Sequence, residues 1–483
     1  MTTIKTRLGA IRGLDRGGML SFLGIPFAAP PVGALRWRPP APAAPWRGTY
    51  DATRPPNRAF QPPLPESLNV GPIAGAMSED MLYLNIHTPA ADKARRPVFV
   101  WIHGGGFVQG SANDFDPAAY ARQYDLCFVA INYRVGMLGF LDLSRFGPDY
   151  AGSAANGFRD QIAALRWIAD NIADYGGDPE NVTICGGSAG AGSVLALQAA
   201  PSARGLFHKA IAVSPSDIAV QPPNVVTPYA AGLSMTEDAF LDMLKTLPAE
   251  GIFDLQVKSG MGGLAAVDGV VIVARPTEGI RAGVNPTPTV VGSTAAEGPL
   301  LTAALGSEPS TLRFFEAGLA TMIAADDPAR YGAYLDTVAA GASPAERMDR
   351  VWTDFFRSTT LRAAEAAEAV GVPFWVYSWA APTPHPFGPT HGSDVAFVFN
   401  LFDPGKGDGG PRALYPNTPE NRELAQNWSA TFAAFVRSGA PAWPGTNPWP
   451  IYSRATRRTL VIDPAPRVVE NLDPPAALAA FGL

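Results

Sequence analysis

The stretch from Val182 to Ala200 restricts the fold more than any other part of this chain. Val182-Thr183-Ile184-Cys185 is a short apolar run with strand character, and Ala191 to Ala200 is helix-forming. Between them lies Gly186-Gly187-Ser188-Ala189-Gly190. A chain that passes from a buried strand into a helix through five small residues must turn tightly, and glycine permits the turn because it has no Cβ to crowd the neighbouring backbone. The same alternation occurs earlier. Arg96 to Ile102 is an apolar run too short for a typical helix, and it stops at three glycines, so it reads as a buried strand. Phe158, Ile162, Leu165, Ile168 and Ile172 recur at helical spacing, after which Gly176-Gly177 supplies a left-handed stop. Strands that alternate with helices predict an α/β protein with a mostly parallel central sheet and helices on both faces.

A length of 483 residues allows two or three average domains, yet large α/β chains often keep one core and add insertions. One globular unit over 1–483 is expected. A hydrophobic content of 47% with 17% charged residues fits a folded interior and excludes a disordered or fibrous chain. The net charge of −6 argues against nucleic acid, whose phosphates call for clustered Lys and Arg. Met1-Thr2-Thr3-Ile4-Lys5 runs straight into strand-like sequence without the apolar segment of a signal peptide, and no run reaches the roughly 18 apolar residues of a membrane span. Neither secretion nor a membrane partner is expected. Cys127 and Cys185 both sit in apolar strand-like runs, which predicts buried free thiols and a reducing, cytoplasmic setting.

Near the end, Thr418 and Pro419 read as a helix cap and first helical position. Leu424, Trp428, Phe432, Phe435 and Val436 then form one core-facing stripe that ends before Gly439. Two segments look irregular, Gln61 to Met77 and Phe402 to Arg412, and they read equally well as lids and as plain surface loops.

The five residues around Ser188 fit a nucleophile elbow, in which a serine sits on a strained strand-to-helix turn. The helix start there offers free N–H groups and a positive dipole end to a developing oxyanion. A serine that merely caps a helix is the plainer alternative. His103-Gly104-Gly105-Gly106-Phe107 directly follows the strand Arg96 to Ile102 and matches the His-Gly-Gly-Gly loop that supplies oxyanion donors in esterases and lipases. A phosphate cradle would need a following Gly-Lys-Ser/Thr, which is absent. His103 itself is expected to be structural.

The chain resembles the type-B carboxylesterases, the cholinesterase-like family of the α/β-hydrolase fold, and among them the bacterial para-nitrobenzyl-esterase branch. The matching segments are Gly24 to Ala28, Pro30 to Gly33, Ser78 to Asn85, Asn132 to Gly136, Asp160-Gln161 and Gly176 to Pro179, followed by the elbow. The resemblance implies a Ser-His-Glu triad of Ser188, His391 and Glu297. In this fold the acid and then the histidine follow the serine. His391-Gly392-Ser393-Asp394 is similar to the family's histidine segment, whereas His385 lies between two prolines and His208 falls too soon after the elbow. Gly292 to Gly298 is similar to the family's glutamate loop, with Asp268 and Asp394 as weaker competitors for the acid.

By the same resemblance the oxyanion donors are the N–H groups of Gly105, Gly106 and Ala189. Ser214 supports Glu297, Arg36 pairs with Glu79 and Arg134 pairs with Asp160. Insertions at roughly 216–290 and 300–385 would build a cap or gorge. Departures matter too. Ala59 and Met81 stand where many members carry disulfide cysteines, which favours the intracellular reading. Gly187 replaces the glutamate of cholinesterases, and the segment Gln61 to Met77 lacks a tryptophan to face a quaternary ammonium, so choline esters are poor substrates. Pro215 stands where glycine is common, which alters the nearby pocket wall. The implied activity is hydrolysis of short to medium acyl or aryl esters, with no cofactor and no metal, by a monomer or dimer. Amides, carbamates or lactones remain open to the same triad, and a non-catalytic scaffold is the remaining alternative.

Overall fold

The structure is a computed structural model that describes residues 1–63, 73–219, 224–259, 265–402, 414–444 and 449–483. The chain packs as two compact units. The first holds Met1–Pro63, Pro72–Lys209 and Ile218–Gly279, and the second holds Ala210–Asp217 and Ile280–Leu483.

In the first unit the strands are β1 (Thr2–Thr6), β2 (Gly9–Asp15), β3 (Leu20–Pro26), β4 (Thr49–Asp51), β5 (Tyr83–Thr88), β6 (Arg96–Ile102), β7 (Cys127–Ile131) and β8 (Gly177–Gly187). They lie in the order β1-β2-β3-β5-β7-β6-β8, with β4 beside β2. Pairing is antiparallel from β1 to β7, while β6 runs parallel to both β7 and β8. Every residue of β6 is buried, which is why the run from Arg96 to Ile102 shows no polar alternation. The expected helix spans Asn156–Asn171 and ends through a short 3₁₀ turn at Gly176, whose φ of 82° is the predicted left-handed stop. The elbow strand begins earlier than the apolar run implied, at Gly177.

The second unit carries most of β9 (Lys209–Val213), with β10 (Thr289–Thr294), β11 (Phe374–Trp379), β12 (Thr459–Ile462) and β13 (Arg467–Val469). β9 to β12 are parallel and β13 closes the edge antiparallel. Each unit thus contains a run of parallel strands, β7-β6-β8 in the first and β9 to β12 in the second, as the alternation of strands and helices predicts. Helix Pro419–Ser438 starts where expected: the Thr418 hydroxyl accepts from the Asn421 N–H at 3.3 Å, and Gly439 ends the helix at φ 81°. Trp428, Phe432, Phe435 and Val436 are buried, while Leu424 is only partly covered.

The two anticipated ion pairs form. Arg134 and Asp160 meet at 2.7 Å, and the carboxylate has no exposed surface. Arg36 grips Glu79 with a fork of 2.6 and 2.7 Å and also donates to the Leu244 and Leu247 carbonyls at the end of helix Glu237–Thr246. A cation there complements the negative end of the helix, so this pair also anchors that helix. Cys127 and Cys185 are both buried and form no disulfide. Among the described residues no helix is long and apolar enough to cross a membrane. Most of the two irregular segments, 61–77 and 402–412, lies outside the described residues.

Candidate active site

Within the first unit, β8 ends at Gly187, and Ser188 enters helix Ala189–Gln198 with φ 56° and ψ −122°. A positive φ at a non-glycine residue is strained and is typical of a nucleophile elbow. Ser188 makes no side-chain cap bond, so the plainer reading as a helix cap fails. The flanking glycines are required by space. A Cβ at Gly186 would stand 2.3 Å from the Gly190 carbonyl, and one at Gly190 would stand 2.1 Å from the Ile102 oxygen. The His103 to Phe107 loop lies against this turn: a Cβ on Gly104 would come within 2.6 Å of the Gly187 oxygen and 3.2 Å of the Ser188 Cβ.

Gly105 and Gly106 take φ values of 98° and 62°, conformations that turn successive backbone N–H groups in ways other residues resist. The Gly105 carbonyl is tied off by the N–H groups of Val108 and Gln109 at 3.0 and 3.1 Å. His103 holds the loop from behind, with Nδ1 3.0 Å from the Gly104 oxygen and its ring stacked 4.2 Å from that of Tyr133. Burial pushes the His103 imidazole down to about 4, so it stays neutral, in keeping with the structural role expected of it.

Within the second unit, Glu297 follows β10 and has no exposed surface. Its Oε1 accepts from the Ser214 hydroxyl at 2.6 Å and from the Thr294 N–H at 2.7 Å, while Oε2 lies 2.5 Å from His391 Nδ1. The second donor, Thr294, carried no signal in the sequence because it acts through its backbone. Three donors compensate the desolvation of a buried carboxylate, and the bond to Nδ1 leaves His391 Nε2 facing the other way. That Nε2 is buried and has no partner among the described residues. Ser214 sits at the end of β9 with φ 52°, and its N–H donates to the Gly292 carbonyl at 2.7 Å.

The competing residues take other partners. Asp268 accepts from the N–H groups of Val271 and Ile272. Asp394 accepts from the Tyr377 hydroxyl at 2.9 Å, and burial, followed by the nearby Glu297 charge, pushes its carboxyl up to about 7. His208 Nδ1 accepts from the Val182 N–H, and His385 Nδ1 accepts from the Phe387 N–H. The first unit thus assembles Gly105, Gly106, Ser188 and Ala189, and the second assembles Ser214, Glu297 and His391. Among the described residues no group of His, Cys, Asp or Glu is arranged to hold a metal.

A strained serine where a parallel strand runs into a helix, with an acid after β10 and a histidine after β11, defines the α/β-hydrolase class. The profile of the carboxylesterase family matches residues 1–477, and the chain belongs to that family. It is 32% identical to the para-nitrobenzyl esterase of Bacillus subtilis, over 95% of this chain and 94% of that protein. It is 31% identical to human carboxylesterase 3, over 96% of this chain and 87% of that protein. Among solved structures, a Geobacillus stearothermophilus carboxylesterase superposes with a TM-score of 0.83 at 32% identity, covering both chains fully. The protein is therefore a carboxylic-ester hydrolase of the serine type.

Proposed function

We propose that Ser188, His391 and Glu297 form one triad, with the whole chain acting as a single hydrolase domain. His391 Nε2 takes the hydroxyl proton as Ser188 Oγ attacks the ester carbonyl carbon. The oxyanion that forms accepts from the N–H groups of Gly105, Gly106 and Ala189. Collapse expels the alcohol, which leaves with the proton held by His391, and a water activated by the same imidazole then cleaves the acyl-enzyme to the acid. Glu297 fixes the tautomer and stabilises the imidazolium. The observation that carries this reading is the 2.5 Å bond from Glu297 to His391 Nδ1, which leaves Nε2 buried and unpaired.

The proposed substrates are short to medium acyl or aryl esters, since the oxyanion loop is built only of glycines. Choline esters are disfavoured by Gly187, which adds no negative charge beside the nucleophile. Two buried cysteines that form no disulfide support a reducing, cytoplasmic setting. Turnover of para-nitrophenyl esters graded from acetyl to decanoyl, alongside matched anilides, tests the assignment. The expected result is rapid hydrolysis of the shorter esters and slow or absent hydrolysis of the anilides. Equal rates on both would point to an amidase, and no turnover at any chain length would remove the substrate reading.

A further inference from the structure

Gly298 follows the acid Glu297, and a Cβ there would lie 2.2 Å from both Cα and the carbonyl oxygen of Asp349. The missing side chain lets helix Pro344–Glu368 pack directly on the loop that carries Glu297. Asp349 and Phe356 are seven residues apart, close to two helical turns, and therefore share that face of the helix. Phe356 comes to rest on the His391 imidazole, with ring centroids 4.4 Å apart and planes inclined by 29°. Phe356 is 2% exposed, so water does not screen this contact. The Trp352 ring, 6.1 Å away at 25°, and the Phe355 ring, 5.0 Å away edge-on, brace it.

The two imidazole nitrogens bond in the plane of the ring, and Phe356 covers one face. That face is neutral when His391 waits as a base and cationic when it holds the serine proton. An aromatic face attracts a cation through its quadrupole, and the attraction grows when the pair is desolvated. The contact is therefore stronger in the transition state than in the resting enzyme, which is the condition for raising kcat rather than tightening substrate binding. We infer that Phe356 is a positioning residue for ester hydrolysis, holding the His391 ring in plane with Glu297 and stabilising the imidazolium through its π face. This inference rests on the triad reading above.

The test replaces Phe356 with 4-fluoro-, 3,5-difluoro- and 3,4,5-trifluorophenylalanine in the full-length enzyme, which weakens the quadrupole while keeping the ring's shape. Phe356→Leu and His391→Ala are made in parallel. The expected result is a stepwise fall in kcat along the fluorinated series with KM unchanged, ending at a loss of roughly threefold to thirtyfold in Phe356→Leu. Because the fluorinated rings pack as phenylalanine does, the series reads the electrostatic role even if Phe356→Leu folds poorly. A kcat that stays flat along the series, while His391→Ala abolishes turnover, would overturn the role of Phe356 and leave the triad standing. Full turnover in His391→Ala would overturn both.

Discussion

The two units carry groups of candidate residues that differ in construction. In the first, the elbow and the glycine loop are made of backbone: what matters at Gly104, Gly105, Gly186 and Gly190 is the absence of a side chain. In the second, Glu297, His391, Ser214 and Phe356 are joined chiefly through their side chains over sequence separations of 35 to 94 residues. The first group leaves no room for a side chain at those four glycines, and the second depends on hydrogen bonds, charge and a ring contact. Geometry that a chain builds from neighbouring residues is protected by space, whereas geometry built from distant residues is protected by chemistry.

That contrast can be broken by exchanging the two kinds of change. Glu297→Gln keeps the shape and removes the charge, and kcat should fall about 10⁴-fold with the fold intact, as when the acid of a related triad is neutralised. Steady-state kinetics with a thermal melt would check it, and a loss under tenfold would remove Glu297 as the acid. Gly105→Ala keeps the charge and adds one methyl group, which would lie 2.4 Å from the Gln109 oxygen. The predicted loss in kcat is about 10²- to 10³-fold, the scale of one oxyanion donor, with little change in KM. If Gly105→Ala is as active as the parent enzyme, the loop is not limited by space.

The Arg134–Asp160 pair sharpens the contrast on the side of stability. Arg134→Ala leaves a buried carboxylate unpaired and should cost about 3 to 5 kcal/mol, measured by denaturant unfolding. Ser214→Ala removes one of three donors to Glu297 and should lower kcat by roughly tenfold, the scale of a hydrogen bond to a charged group. A further effect on stability is a pH slope. The folded Asp394 carboxyl is held up to about 7, while in the unfolded chain it titrates near 4, so the unfolded state gives up its proton first. This group's contribution to stability therefore falls as pH rises from about 4 to about 7 and is level above that. Asp394→Asn should gain stability relative to the parent at pH 8 compared with pH 5, and identical melting differences at the two pH values would contradict the shift.

How much could be read in advance follows the same division. The strand Arg96–Ile102, the helix stop at Gly176, the Thr418 cap and the elbow were legible because each is written in adjacent residues. Glu297 and His391 were reached only through resemblance to a family, since nothing local marks a glutamate 94 positions from the histidine it bonds. Phe356 was not reached at all. In the sequence it is one apolar residue of a long amphipathic helix, and its place over His391 depends on a glycine 58 positions earlier that lets the helix approach. The antiparallel pairing of β1, β2, β3, β5 and β7 was likewise unmarked, because the direction of pairing is set by connections and not by composition.

The central claim is that the strained serine and the Glu297–His391 pair act on the same acyl group. It is tested most directly by treating the parent enzyme and His391→Ala with a para-nitrophenyl organophosphate and mapping the adduct by peptide mass spectrometry. A single phosphorylated residue, Ser188, is expected, with labelling slowed by several orders of magnitude in His391→Ala. An adduct on another residue, or labelling of Ser188 at the same rate in both proteins, would contradict it.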